Sequence, residues 1–286
     1  MNTTNIGGRA RKAWKKIRHE SSCWKGEEVH RREEEAKPIA LPSNSICEIA
    51  LLKACVKEKD LHQGSIIHAN IVKKGLLEKD RYLGNTLVSL YAKCGALSRA
   101  QQVFECLPVR NVVSWNALIA GYAQHEHSCK QALTCFQRMQ HHGVSPNAVT
   151  YVCILKACGS IGRATMGKEI HNTVVQKGLL ETNILVGNTL VDMYAKCSAV
   201  VKARQVFEQL PCRTVVSWNA LISGYTQCGN GEEALHCFEQ MQQEGISPDE
   251  VTFICSLQAC GSIGAFDKGK EIHAEVVREG LLEKDI

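Results

Sequence analysis

The chain contains no Cys-x-x-Cys pair, although it holds 15 cysteines. Structural zinc sites draw ligands from such pairs, so a metal-stapled fold lacks its spacing. The odd count also leaves a closed disulfide framework one thiol short. Aromatic residues make up 6% of the chain and proline occurs six times, a poor supply for a turn-rich β fold. No apolar run approaches the length of a membrane helix, and no secretory core follows Met1. Bulk positive charge is scarce as well. Residues 1–44 hold ten Lys/Arg and six Glu, which leaves 24 basic and 23 acidic residues in the rest. Overall charge therefore gives no argument for a polyanion partner.

What the sequence has is repetition. The stretch from Asn111 to Gln124, NVVSWNALIAGYAQ, returns at Thr214–Gln227 as TVVSWNALISGYTQ, 103 residues later. Leu52-Lys-Ala-Cys55 becomes Leu155-Lys-Ala-Cys158 and then Leu257-Gln-Ala-Cys260, and Gly84-Asn-Thr-Leu-Val88 becomes Gly187-Asn-Thr-Leu-Val191. Self-similarity at a fixed period marks a repeat architecture. Cysteines that recur in register within helical patterns (Cys55, Cys158 and Cys260; Cys94 and Cys197) read as small buried hydrophobes in a reducing compartment.

Each period divides into helix pairs. Trp115, Leu118, Ile119 and Tyr122 follow the i, i+3, i+4, i+7 spacing of one apolar stripe. Ala132, Phe136 and Met139 form the second stripe of that pair, which Gly143 and Pro146 stop. Leu155 and Cys158 precede Ile170 and Val174, with Gly178 as terminator; Leu190, Met193 and Tyr194 precede Ala203, Val206 and Phe207, ended by Leu210-Pro211. One pair buries only one face alone, so neighbours must stack. The expected fold is all-α, a right-handed α-solenoid of stacked helix-turn-helix repeats. Cutting at equivalent points gives units 45–80, 81–111, 112–147, 148–183, 184–214, 215–249 and 250–285. The extra residue of unit 112–147 falls in the His125–Lys130 loop, where an insertion costs little.

This cycle of about 36, 31 and 36 residues resembles the plant pentatricopeptide repeat (PPR) family, in particular its PLS subfamily. VVSWNALIAGY…EALxxFxxM…GxSPD is similar to the P motif. VTFxxxLxACGSIG…GKEIH resembles the L motif, and VGNTLVDMYAKC…ARQVFEQLP the S motif. The resemblance covers residues 45–286. It implies a sequence-specific binder of single-stranded organelle RNA that selects cytidines for editing to uridine, reading one base per repeat. A deaminase or editing accessory protein acting in trans is the implied partner. No cofactor, no metal, no membrane and no catalytic residue of the chain's own are implied.

Carried over by position, the fifth residues of the S and P motifs are Asn85, Asn116, Asn188 and Asn219. Their last-position partners are Asn111, Asn147, Thr214 and Asp249. In the family, Asn with Asn leans to cytidine and Asn with Asp to uridine; Asn188 with Thr214 departs from the usual pairs and leaves its base open. A carboxamide carries both donor and acceptor, so it can address a pyrimidine edge. The second-position residues Tyr82, Val113, Leu185 and Val216 are expected to sandwich the bases. At the fifth position the L motifs carry Ile49, Val152 and Ile254, which cannot hydrogen-bond a base edge and are expected to act as spacers.

Blander readings compete. A single Asn near a helix start is commonly a cap or turn residue, but four in one register favour function. Trp115 and Trp218 lie within the apolar stripe and read as core. His68, His171 and His273, each after Ile, read as structural histidines. His273-Ala-Glu275 matches half of a zinc-deaminase signature, but it aligns with His171-Asn-Thr173 and no Pro-Cys-x-x-Cys follows. The basic residues from Arg9 to Arg18 resemble an organelle presequence, mitochondrial with chloroplast as the alternative; a basic leader without targeting meaning stays open. A protein-binding solenoid of the tetratricopeptide type is the alternative function. The last unit has no polar cap after it, and an uncapped solenoid end exposes apolar surface.

Overall fold

The computed structural model of the protein describes residues 45–77 and 80–281. The leader expected over residues 1–44 lies outside the described residues. Among the described residues there are fifteen α-helices and no strand. They are α1 (Ser45–Glu58), α2 (Leu61–Lys73), α3 (Arg81–Lys93), α4 (Leu97–Cys106), α5 (Val112–Ala123), α6 (Cys129–His141), α7 (Ala148–Ser160) and α8 (Ala164–Gln176). A short α9 (Leu179–Thr182) precedes α10 (Ile184–Lys196), α11 (Val200–Glu208), α12 (Val215–Gln227), α13 (Gly231–Gln243), α14 (Glu250–Ile263) and α15 (Phe266–Arg278). The fold is all-α, of the stacked-hairpin α-solenoid kind. The His125–Lys130 loop contains a 3₁₀ turn, Glu126–Ser128.

The chain forms two compact units. One comprises the described residues up to His125 together with Gln131–Ser145; the other comprises Glu126–Lys130 and the described residues from Pro146 onward. In the first unit α1, α3 and α5 pack side by side as one layer, with α2 and α4 behind them. In the second, α7, α10, α12 and α14 form the corresponding layer, backed by α8, α11, α13 and α15.

The apolar stripes predicted from spacing are the core, except that Tyr122 at the end of the Trp115 stripe is only half-buried. Trp115, Leu118 and Ile119 are fully buried, as are Leu155, Cys158 and Val174. Trp115 meets the Phe104 ring edge-on, with centroids 4.5 Å apart; in the second unit Trp218 meets Phe207 at 4.5 Å. Edge-to-face contacts of this kind add to the burial of large aromatic area. Arginines lie over the same rings, Arg110 5.4 Å from the Phe104 centroid and Arg213 5.1 Å from that of Phe207. Where consecutive first helices meet, glycine permits close approach. A Cβ on Gly121 would stand 2.6 Å from the Ala92 Cβ, and one on Gly224 2.5 Å from that of Ala195. Gly143, the predicted stop after α6, has φ +71°, a left-handed helix exit that glycine takes without strain.

Cys55, Cys158 and Cys260 are buried, whereas Cys94 and Cys197 are only half-buried. His68 Nδ1 lies 2.8 Å from the Tyr91 hydroxyl, and His171 Nδ1 3.1 Å from that of Tyr194. Burial, with help from the nearby Arg99 charge, lowers the His68 pKa to about 4. These two histidines are structural, as expected. The third is not: His273 is exposed and has no tyrosine beside it among the described residues.

Candidate nucleic-acid interface

Each last-position residue stands at the N-terminus of a first helix. Asn111 Oδ1 accepts from the Val113 and Ser114 N–H groups at 3.0 and 3.1 Å. Asn147 and Asp249 form reciprocal capping boxes. The Thr150 and Thr252 N–H groups donate to their side chains at 3.1 and 2.9 Å, and their own N–H groups donate back to the threonine hydroxyls at 3.1 Å each. Thr214 donates its N–H to Ser217 Oγ at 2.7 Å. Such caps satisfy the donors that a helix start leaves unpaired. The capping reading, raised for the fifth-position asparagines, thus describes their partners.

The fifth-position asparagines sit one turn inside the first helices. The sequence places Asn116 away from the Trp115 stripe, which suggests an open surface. The structure differs: Asn85, Asn116, Asn188 and Asn219 are 8%, 9%, 7% and 9% exposed. The neighbouring first helix covers this register, a tertiary effect that one helix's periodicity does not reveal. Two of the expected pairs meet directly. Asn219 Nδ2 donates to Asp249 Oδ1 at 2.8 Å, and the Thr252 hydroxyl donates to Asn219 Oδ1 at 2.5 Å, which closes a three-residue ring. Asn188 Nδ2 donates to Thr214 Oγ1 at 3.3 Å, while Asn188 Oδ1 is buried with no hydrogen-bond partner. Burial works against the Asp249 charge, but donation by Thr252 and Asn219 outweighs it and holds the carboxyl pKa below its usual value.

The second-position side chains are exposed at the helix starts: Tyr82, Val113, Leu185 and Val216 are 54–59% accessible. Sequence reasoning missed three more. Ile46, Val149 and Val251 occupy the same position in α1, α7 and α14 and are equally open. The signal was available, because all seven helix starts carry an apolar residue there. It also missed Ser114, Thr150, Ser217 and Thr252, all fully buried beneath the site. Their signature is an Asn, Thr or Asp followed three residues later by Ser or Thr, four times over. At the aliphatic fifth positions, Val152 is buried and Ile49 half-buried, while Ile254 is exposed.

Helix hairpins with an asparagine, a polar cap and an apolar residue in fixed register define a helical-repeat protein with a periodic edge. Residues 110–160 and 213–262 match the model of the PPR repeat family, and residues 85–112 match that of the PPR repeat. The chain therefore carries pentatricopeptide repeats and is a homologue of plant pentatricopeptide repeat-containing proteins. A chloroplastic one from Arabidopsis thaliana is 38% identical over 231 residues, covering 81% of this chain and 37% of the relative. A mitochondrial one from the same plant is 39% identical over 230 residues, covering 80% and 36%. The chain thus spans little more than a third of the length of these relatives. Among solved structures, the fold is similar to that of the pentatricopeptide repeat protein PPR10 in complex with an 18-nt psaJ RNA element. The TM-score is 0.67 at 17% identity, over 92% of this chain and 37% of that one. It is also similar to PPR10 from maize, with a TM-score of 0.61 at 21% identity, over 83% and 35%.

Proposed function

We propose that the chain binds single-stranded RNA with sequence preference in an organelle, and that it selects cytidines for editing in the manner of the PLS subfamily. The observation that carries this reading is the ring of Asn219, Asp249 and Thr252 at a hairpin boundary, beside exposed Val216 and Val251. A carboxamide held by two partners keeps one N–H and one carbonyl lone pair for a ligand, and its orientation is fixed before the base arrives. Aliphatic side chains on either side offer the apolar faces between which a base can lie. The likeness to an RNA-bound PPR10 and the organelle names of the relatives support the same reading. Under it, Asn85 with Asn111 and Asn116 with Asn147 favour C, Asn219 with Asp249 favours U, and the hairpins starting at Ser45, Ala148 and Glu250 are spacers.

The chain is read as a specificity module without catalytic residues. The deamination would be supplied by a deaminase in trans, with the mitochondrion as the compartment and the chloroplast as alternative. Gel-shift selection on a randomised RNA pool tests the reading. A pyrimidine preference should emerge that Asn116→Ala and Asn219→Ala each weaken by about 1–3 kcal/mol, roughly 5- to 150-fold. Binding without any sequence preference, or a preference untouched by both variants, would sink it.

A further inference from the structure

Three residues after each helix cap lies a buried hydroxyl, and its proton does not always go to the same place. Ser114 and Ser217 turn theirs back onto their own helix start, where Oγ donates to the Asn111 carbonyl at 2.9 Å and to the Thr214 carbonyl at 2.8 Å. Thr150 and Thr252 direct theirs to side chains. The Thr150 hydroxyl donates to Asn147 Oδ1 at 3.1 Å, and that of Thr252 to Asn219 Oδ1 at 2.5 Å, with Asp249 Oδ1 2.9 Å away. The second unit shows the consequence, because both kinds of hydroxyl occur there beside a fifth-position asparagine. Asn219 has both ends of its carboxamide held, Nδ2 by Asp249 and Oδ1 by Thr252. At Asn188, Nδ2 reaches Thr214 Oγ1 at 3.3 Å, and Oδ1 is buried with no hydrogen-bond partner. The Thr214 hydroxyl can donate as well as accept, so it suits either end of a carboxamide.

We propose that this hydroxyl residue is a further determinant of base specificity, acting through the asparagine as a positioning residue. Thr252 fixes the plane of the Asn219 carboxamide, whereas Ser217 leaves that of Asn188 free to turn. The inference rests on the RNA reading and adds to it a third side chain, beside the fifth-position residue and its cap. Capping does not account for the difference, because both kinds of residue cap equally. The Asp249 N–H donates to Thr252 Oγ1 at 3.1 Å, and the Thr214 N–H to Ser217 Oγ at 2.7 Å. What separates them is where the hydroxyl proton points. Branching at Cβ restricts χ1 of threonine, while an unbranched serine turns readily to the carbonyl three residues back. It follows that Asn188 discriminates among bases less sharply than Asn219, although both are asparagines in the same register.

The test uses the full chain and an RNA selected from the randomised pool, made in versions that differ only in the base assigned to Asn219. The parent chain should prefer U over C there. Thr252→Ser keeps a hydroxyl for the cap, so its melting temperature should stay within about 3 °C of the parent's. Its U-to-C affinity ratio should nevertheless fall about fivefold, the contribution of one hydrogen bond. Thr252→Val keeps the shape of the side chain and should lower the ratio as far. It should also melt lower, because the Asp249 N–H loses its acceptor. Side-chain amide NMR of the RNA-free chain gives a second readout: the Asn219 amide protons should exchange with water faster in Thr252→Ser than in the parent. A ratio or an exchange rate that Thr252→Ser leaves unchanged would make Thr252 a cap and nothing more, overturning this inference while the RNA reading stands. A parent chain that binds every version alike overturns both.

Discussion

The two units of the molecule hold two passes of one sequence cycle, and they agree in some places and part in others. The Trp115–Phe104 and Trp218–Phe207 clusters have the same centroid separation and interplanar angles of 65° and 64°. His68–Tyr91 and His171–Tyr194 repeat as closely. The cap positions do not. Asn111 corresponds to Thr214 and Asn147 to Asp249, so the side chains offered to the fifth-position asparagines differ between the two passes. Packing has one good solution per hairpin, so it is copied; the boundary residues vary without disturbing it. Under the proposed function, a scaffold separated in this way from the residues that face the RNA lets specificity drift while the fold stays fixed.

The largest expected effect probes the copied part. Trp218→Ala leaves a ring-sized cavity against Phe207 and should cost about 3–5 kcal/mol. Denaturant unfolding should give a similar loss for Trp115→Ala; a loss in only one of the two would show that the clusters are alike in geometry but not in energy. Next comes the varied part. Asp249→Asn makes the second pair chemically like Asn116 with Asn147 and should move the preferred base at that position from U to C, a change of about 1–3 kcal/mol in discrimination. Paired RNA titrations measure it.

The same variant carries a pH signature. The Asp249 pKa is lowered in the folded state, so its stabilisation is present above the unfolded value of about 3.9 and is lost as pH falls through the folded value. Acid unfolding below about pH 4 should therefore be shallower in Asp249→Asn. A smaller effect is expected at the odd pair. Thr214→Asn brings an amide donor toward the buried, unpartnered Asn188 Oδ1 and should add about 1 kcal/mol, together with a C preference where the parent has no defined one. The smallest concerns a turn. Ser198 has φ +56° where the first pass has Gly95 at +75°. Ser198→Gly should stabilise by about 0.5–1 kcal/mol, read as a small rise in melting temperature.

Much of the fold was legible because a stripe such as Trp115, Leu118 and Ile119 needs only its own helix to be recognised, and its recurrence reveals the stacking. The pairing of Asn219 with Asp249, thirty residues apart, could not come from periodicity; it entered through family resemblance. The burial of Asn219 and of Thr252 arises only where two consecutive hairpins meet and bring Asp249 and Thr252 against the asparagine. His273 teaches the converse. It copies His68 and His171 letter for letter with the preceding Ile, yet its surroundings belong to a neighbour outside the motif.

The contacts of Gly121 with Ala92 and of Gly224 with Ala195 bear on distance as well as packing. They set how far one fifth-position asparagine lies from the next within each unit, and under the proposed function that distance has to match the spacing of nucleotides on a strand. A methyl group forced into either contact would leave every hydrogen-bonding group chemically intact and put ruler and strand out of phase. Under the proposed function such a substitution would act as a frameshift in space, harmless to any single hairpin and costly to a message read across several.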